Sequence, residues 1–125
     1  MARILIAEDE SMLCDLCACA LATDGHEVET AHDGSEALDV LDKRGGHFDL
    51  LLTDVRMPSI DGIALSLAAA RNFPDLAILL MTGYADQRER AHELDALVHD
   101  VIAKPFSVAT LRGAVNEALG VRARR

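Results

Sequence analysis

LLLTDVRMPSIDG, residues Leu50 to Gly62, is the stretch that decides how this chain folds. Three leucines and a threonine form a short apolar run with no polar alternation. A strand covered on both faces has that pattern. The run closes on an acid, Asp54, and Pro58 and Gly62 then break it, so Asp54 stands where a strand gives way to a loop. In open α/β sheets, ligands bind at that edge, outside the carboxyl ends of the strands. Asp54 is therefore the candidate reactive residue, and other segments must complete its site.

Working outward, short apolar runs alternate with amphipathic ones. Arg3–Ala7 (RILIA), Glu27–Ala31, Phe48–Thr53, Ala77–Thr82 (AILLMT) and Val98–Ala103 read as strands. Met12 to about Thr23 reads as a helix with Leu13, Leu16, Cys17, Ala20 and Leu21 on one stripe, stopped by Asp24-Gly25. Asp33-Gly34-Ser35 opens a second helix, which carries Ala37, Leu38 and Leu41 and ends at Gly45-Gly46. Ile63–Asn72 and Ser107–Leu119 supply two more, the last with Leu111, Val115, Ala118 and Leu119 as its apolar stripe, and Ala85–Glu93 reads as a charged helix or turn, a helix in the five-helix arrangement. Five β/α units predict a five-stranded parallel sheet with helices on both faces. At this length the natural arrangement is the doubly wound, flavodoxin-like α/β order 2-1-3-4-5.

Composition narrows the classes. A chain of 125 residues, half of them apolar, can bury one core and no second domain beside it. Twelve basic against 21 acidic residues give a net charge of −9. Such a chain repels nucleic acid and anionic lipid, so neither is an expected partner. The basic tail Val121–Arg125 is expected to be solvated. Four apolar residues after Arg3 are too few for a signal-peptide core or a membrane span, which points to a cytoplasmic protein. Cys14, Cys17 and Cys19 are an odd number in one segment, expected as buried or half-buried thiols without a disulfide framework. His26, His32, His47, His92 and His99 lie in different segments without metal-ligand spacing, and surface positions are expected for them.

The polar residues at the strand ends carry the chemistry. Glu8, Asp9 and Glu10 follow the first strand, Asp54 ends the third, Thr82 with Gly83 and Tyr84 ends the fourth, and Lys104-Pro105 follows the fifth. Order 2-1-3-4-5 makes the first and third strands neighbours, which gathers Glu8, Asp9 and Asp54. Clustered carboxylates repel, and at least one pKa should rise unless a cation sits among them. A hard divalent ion, Mg²⁺, resolves the conflict. With Lys104 as a positive charge, Thr82 as a hydroxyl donor and Asp54 as the spare carboxylate, the set makes a phosphoryl-transfer site with an acyl-phosphate nucleophile. Each group also has an ordinary use, Asp9 as a cap of the first helix and Lys104 as a solvated lysine. Their joint arrival at one edge favours the site.

These residues resemble a bacterial response-regulator receiver domain over about residues 2 to 120. Glu8-Asp9, Asp54-Val55-Arg56-Met57-Pro58 with Asp61-Gly62, Thr82-Gly83 and Lys104-Pro105-Phe106 carry the resemblance by order and spacing. It implies that Asp54 accepts a phosphoryl group from a phosphohistidine on a kinase or phosphotransfer protein. It implies that Asp9, Asp54 and the backbone carbonyl of Arg56 bind Mg²⁺, with Glu8 acting mainly through water. Thr82 and Lys104 would hold phosphoryl oxygens, and Lys104-Pro105 would be a cis peptide. A downstream protein would read the state on the face of the fourth helix, fifth strand and fifth helix, from a monomer or a weak phosphorylation-dependent dimer. Two positions depart from the family's habits. Val101 replaces the aromatic often found three residues before the lysine, so no tyrosine rotamer can switch there. Arg56 and Tyr84 occupy the positions that in the family tune phosphoryl lifetime, and the expectation is either that the pair covers the acyl phosphate or that Tyr84 is a partner-contact residue at the loop tip.

Only six residues follow Leu119, so the expectation is a stand-alone receiver over 1–120 with a short tail and no output domain. MARILIAEDE, LLLTDVRMP and KPF further resemble the CpdR-type regulators, which connect a phosphorelay to an ATP-dependent protease in bacterial cell-cycle control. The enzymatic alternative is a haloacid-dehalogenase-like phosphatase, which also uses Asp, Lys, Thr and Mg²⁺. Its nucleophile normally follows the first strand with a second Asp two residues on, where this chain has Arg56. A flavin module would need a phosphate-cradling loop after the first strand, where Glu8, Asp9 and Glu10 would repel phosphate.

Overall fold

The apolar run forms β3 (Leu50–Asp54), every residue of it buried. The computed structural model describes residues 2–44, 47–83 and 98–123. Around β3 stand β1 (Arg3–Ala7), β2 (Glu27–Ala31), β4 (Ala77–Thr82) and β5 (Asp100–Ala103). All neighbours are parallel, in the order β2-β1-β3-β4-β5. The helices are α1 (Ser11–Thr23), α2 (Gly34–Lys43), α3 (Gly62–Asn72) and α4 (Val108–Ala123). The α/β fold and the sheet order are those expected. The helix expected over Ala85–Glu93 lies outside the described residues, as do Gly45 and Gly46. Among the described residues, no helix is long and apolar enough to cross a membrane.

Alternation along the strands divides the core into two layers. Leu5, Ala7, Leu51, Ile78 and Leu80 face α2 and α3, where Ala37, Leu41, Leu65 and Ala69 meet them. Ile4, Ile6, Leu50, Leu52, Leu79 and Met81 face α1 and α4, against Cys14, Cys17, Leu21, Leu111, Val115 and Ala118. Each fully buried leucine or isoleucine contributes ~1.5–3 kcal/mol, so the sheet is held rigid from both sides. Val101 packs half-buried against the α2–α3 layer.

Some boundaries and one face differ from expectation. β3 starts at Leu50 rather than Phe48 and takes in Asp54, while β5 starts at Asp100 rather than Val98. On α1 the buried stripe is Cys14, Cys17, Ala20 and Leu21. Leu16 is exposed, because the stripe passes through Cys14 rather than the larger leucine. Cys19 is also exposed, while Cys14 and Cys17 are buried. Asp9 does not cap α1, whose N-cap is Glu10 without a side-chain bond. Asp33 does cap α2, accepting from the Glu36 N–H at 2.8 Å.

Candidate functional site

Register sets the site. Ala7 of β1 pairs with Thr53 of β3, so the next residue, Glu8, falls level with Asp54. Asp54 pairs with Met81, one residue before Thr82, and Thr82 pairs with Ala103, one residue before Lys104. Four strands thus bring their chemistry-bearing residues to one edge of the sheet. The loop after β3 is closed by the Gly62 N–H, which donates to the Val55 carbonyl at 2.8 Å. Glycine is required there because a Cβ on Gly62 would lie 1.9 Å from the Asp54 carbonyl oxygen.

Carboxylate oxygens of Glu8, Asp9 and Asp54 lie within 4.8 Å of one another. Glu8 and Asp54 are buried, and Asp9 is exposed. Lys104 Nζ sits 2.8 Å from Glu8 Oε1 and 3.1 Å from Asp54 Oδ2. The second Glu8 oxygen, Oε2, accepts from the Glu10 N–H at 3.1 Å. Burial drives the Glu8 carboxyl up from 4.5 to about 6, although Lys104 and the Glu10 amide pull it down. One clustered carboxyl does rise, Glu8, but burial is the chief cause and the charge of Asp54 a smaller one, whereas repulsion was the expected cause. Burial pulls the Lys104 ammonium down, yet its bond to Glu8 and the charge of Asp54 leave it above its ordinary value.

The sequence-predicted residues separate clearly. Glu8, Asp9, Asp54 and Lys104 converge in space. Thr82 is fully buried at the end of β4, and its carbonyl accepts from the Lys104 N–H at 2.8 Å. Lys104-Pro105 is cis. Arg56 is exposed in the loop after β3, and Tyr84 lies outside the described residues. Among the histidines, His32 and His47 are exposed, as expected. His26 is half-buried and accepts from the Ala2 N–H, and half-buried His99 lies 3.8 Å from Glu117. His92 is outside the described residues.

Two features escaped the sequence. Lys104 is an ion-pair partner of Glu8 as well as a neighbour of Asp54, and spacing alone cannot show which carboxylate a flexible lysine reaches. Ser59 adopts a positive φ of 66°. Its hydroxyl receives a hydrogen bond from the Ser35 hydroxyl at the start of α2 at 3.1 Å. A serine carries no signal for that conformation.

All ligands in the acidic cluster are hard oxygens, and two are buried beside a single lysine. That donor set suits Mg²⁺, which prefers a few carboxylates and retains water.

Comparison with known proteins agrees. The family model for the response regulator receiver domain matches residues 4–116. The chain is 36% identical over 109 residues to the response regulator MprA of Mycobacterium avium, covering 87% of this chain and 47% of that protein. The chain spans about half the length of the curated relatives it matches. A CheY-like response regulator receiver domain protein from Methanospirillum hungatei superposes with a TM-score of 0.90 at 28% identity, covering 99% of this chain and 98% of the other. The response regulator protein TrrA of Thermotoga maritima, in complex with Mg²⁺-BeF, superposes with a TM-score of 0.83 at 29% identity, covering 94% and 99%. This chain belongs to the response regulator receiver domain family, the CheY-like receivers of two-component signalling.

Proposed function

We propose that Asp54 is the phosphoacceptor of this receiver and that its phosphorylation state controls binding to a partner protein. The observation that carries the proposal is the meeting of Asp54 with Glu8, Asp9 and Lys104 at the carboxyl edge of the sheet. In the transfer, an Asp54 carboxylate oxygen attacks the phosphorus of a phosphohistidine on a histidine kinase or histidine phosphotransfer protein. The P–N bond breaks, and the imidazole leaves with its electron pair and takes up a proton. Glu8, Asp9, Asp54 and the Arg56 carbonyl would hold Mg²⁺, which supplies charge neutralisation to the phosphoryl oxygens. Lys104 transfers its ammonium from the carboxylates to a phosphoryl oxygen, and Thr82 donates its hydroxyl to another. Buried β3 keeps the nucleophile fixed during the exchange.

Residues 1–120 form the receiver in this proposal, and its last helix, α4, runs on to Ala123. The reader surface is β5, α4 and the segment before β5. Arg56 and Tyr84 cover the acyl phosphate. The finer assignment, to a regulator that couples a phosphorelay to an ATP-dependent protease, is supported by MARILIAEDE, LLLTDVRMP and KPF. It is tested by a pulldown comparing wild type with Asp54→Asn. The expected chemistry is one phosphoryl group per chain and slow self-dephosphorylation. Sustained turnover of phosphate esters would favour the phosphatase alternative.

A further inference from the structure

The loop after β3 is fixed at both ends, its first half is anchored by buried Met57, which accepts from the Thr53 hydroxyl at 3.9 Å, and its second half is tied to a neighbouring helix. At its start the Val55 N–H donates to the Met81 carbonyl at 3.0 Å, and at its end Gly62 closes onto Val55. In between, Ser59 is the only non-glycine residue with positive φ among the described residues. A left-handed serine is strained unless its surroundings hold it there. Helix α2 provides the hold. The Ser35 hydroxyl donates to Ser59 Oγ at 3.1 Å, and the Ser35 N–H approaches the same oxygen at 3.4 Å. The backbones also meet next door, since a Cβ on Gly34 would lie 2.0 Å from the Ile60 carbonyl oxygen.

A helix start leaves backbone N–H groups without intrahelical acceptors. Asp33, the N-cap just before α2, serves the Glu36 N–H. Ser59 serves the neighbouring Ser35 N–H from another element. The start of α2 is therefore capped in part by the loop that follows Asp54. Removing that acceptor frees a strained residue three positions after Arg56, and the loop gains conformations that ligand binding must then remove.

We propose that Ser59 is a positioning residue: its clasp with Ser35 holds the loop carrying the Arg56 carbonyl and so sets the affinity of the acidic cluster for Mg²⁺. The inference rests on the proposed metal role of Glu8, Asp9, Asp54 and Arg56. By linkage, Mg²⁺ at the cluster tightens the start of α2 by the same factor that the clasp tightens Mg²⁺ binding.

The test is calorimetric titration of the metal-free protein with MgCl₂, together with amide hydrogen exchange at Ser35 and Glu36. The variants are Ser59→Ala, Ser35→Ala and the double variant. Ser59→Ala removes the hydroxyl alone, and Ser59→Gly is added because it tolerates the positive φ while removing the whole side chain. The expected result is Mg²⁺ affinity about three- to tenfold weaker in Ser59→Ala, the equivalent of one hydrogen bond. The double variant should lose little more than the single one. Exchange at Ser35 should be faster in Ser59→Ala without metal and should slow in wild type on adding Mg²⁺. A purely structural clasp would speed exchange and leave Mg²⁺ affinity unchanged. Wild-type affinity in Ser59→Ala and Ser59→Gly would overturn this inference alone. A wild type that binds no Mg²⁺, or an Asp54→Asn variant that binds it equally well, would overturn the site assignment and this inference with it.

Discussion

Lys104 occupies the place a cation would take, with its ammonium against both Glu8 and Asp54. Removing it leaves two buried carboxylates without their counter-charge. Lys104→Met should therefore bind Mg²⁺ at least as tightly as wild type by calorimetry while losing most phosphotransfer. Weaker Mg²⁺ binding would show that the lysine organises the cluster rather than competing within it. Tyr84→Ala should shorten the half-life of the phosphorylated protein, measured by following its hydrolysis, and an unchanged half-life would remove Tyr84 from the proposed cover. The cysteines give a test independent of the site. Burial, reinforced by the charge of Glu8, pushes the Cys17 thiol from 9.0 to about 11. The folded state keeps a proton that the unfolded chain loses, so this stabilisation is complete below about pH 9 and disappears as pH rises toward the folded value. Across that window it amounts to about 2–3 kcal/mol. Urea unfolding at about pH 8 and about pH 10 should show wild type losing more stability than Cys17→Ala. At about pH 8 a thiol reagent should modify exposed Cys19 well before Cys14 and Cys17.

At the scale of elements, the close approach of α3 to β3 makes the sharpest demand. Gly62→Ala would place a methyl 1.9 Å from the Asp54 carbonyl oxygen. The expected cost is about 1–3 kcal/mol of stability by denaturant unfolding, with loss of phosphotransfer beyond what stability explains. A neutral Gly62→Ala would mean that the loop yields without disturbing Asp54. Much of this scale was legible in the sequence. The run LLLT is apolar without alternation and Pro58 and Gly62 follow it, so a buried strand with Asp54 at its carboxyl end was legible, although the strand's bounds were not. The turn residues of Asp33-Gly34-Ser35 announced α2, and Asp33 is its cap. The face of α1 was less legible because Leu13, Leu16 and Cys17 satisfy helical spacing as well as Cys14, Cys17 and Leu21 do. The choice falls to packing against Ile4, Ile6 and α4, which a local pattern does not contain. Leu16→Lys should consequently change stability by under about 0.5 kcal/mol. The Ser35–Ser59 contact is of the same kind, joining residues 24 apart through a backbone conformation that serine does not advertise.

At the scale of the molecule, two apolar layers clamp a parallel sheet whose carboxyl edge gathers acids from β1 and β3 and a lysine after β5. Sequence spacing identified the gathered residues because a parallel sheet sends every strand end to the same side. The ion pair between Lys104 and Glu8 required coordinates, since two residues 96 apart meet only after the strands are in register. Mg²⁺ should raise the melting temperature of wild type by mass action and leave Asp54→Asn nearly unmoved. Phosphotransfer from a phosphorylated histidine kinase in the presence of Mg²⁺, read by intact-protein and peptide mass spectrometry, decides whether Asp54 is the phosphoacceptor. One added phosphoryl group is expected, located on Asp54 and absent from Asp54→Asn. A phosphoryl group on another residue, or undiminished labelling of Asp54→Asn, would contradict it.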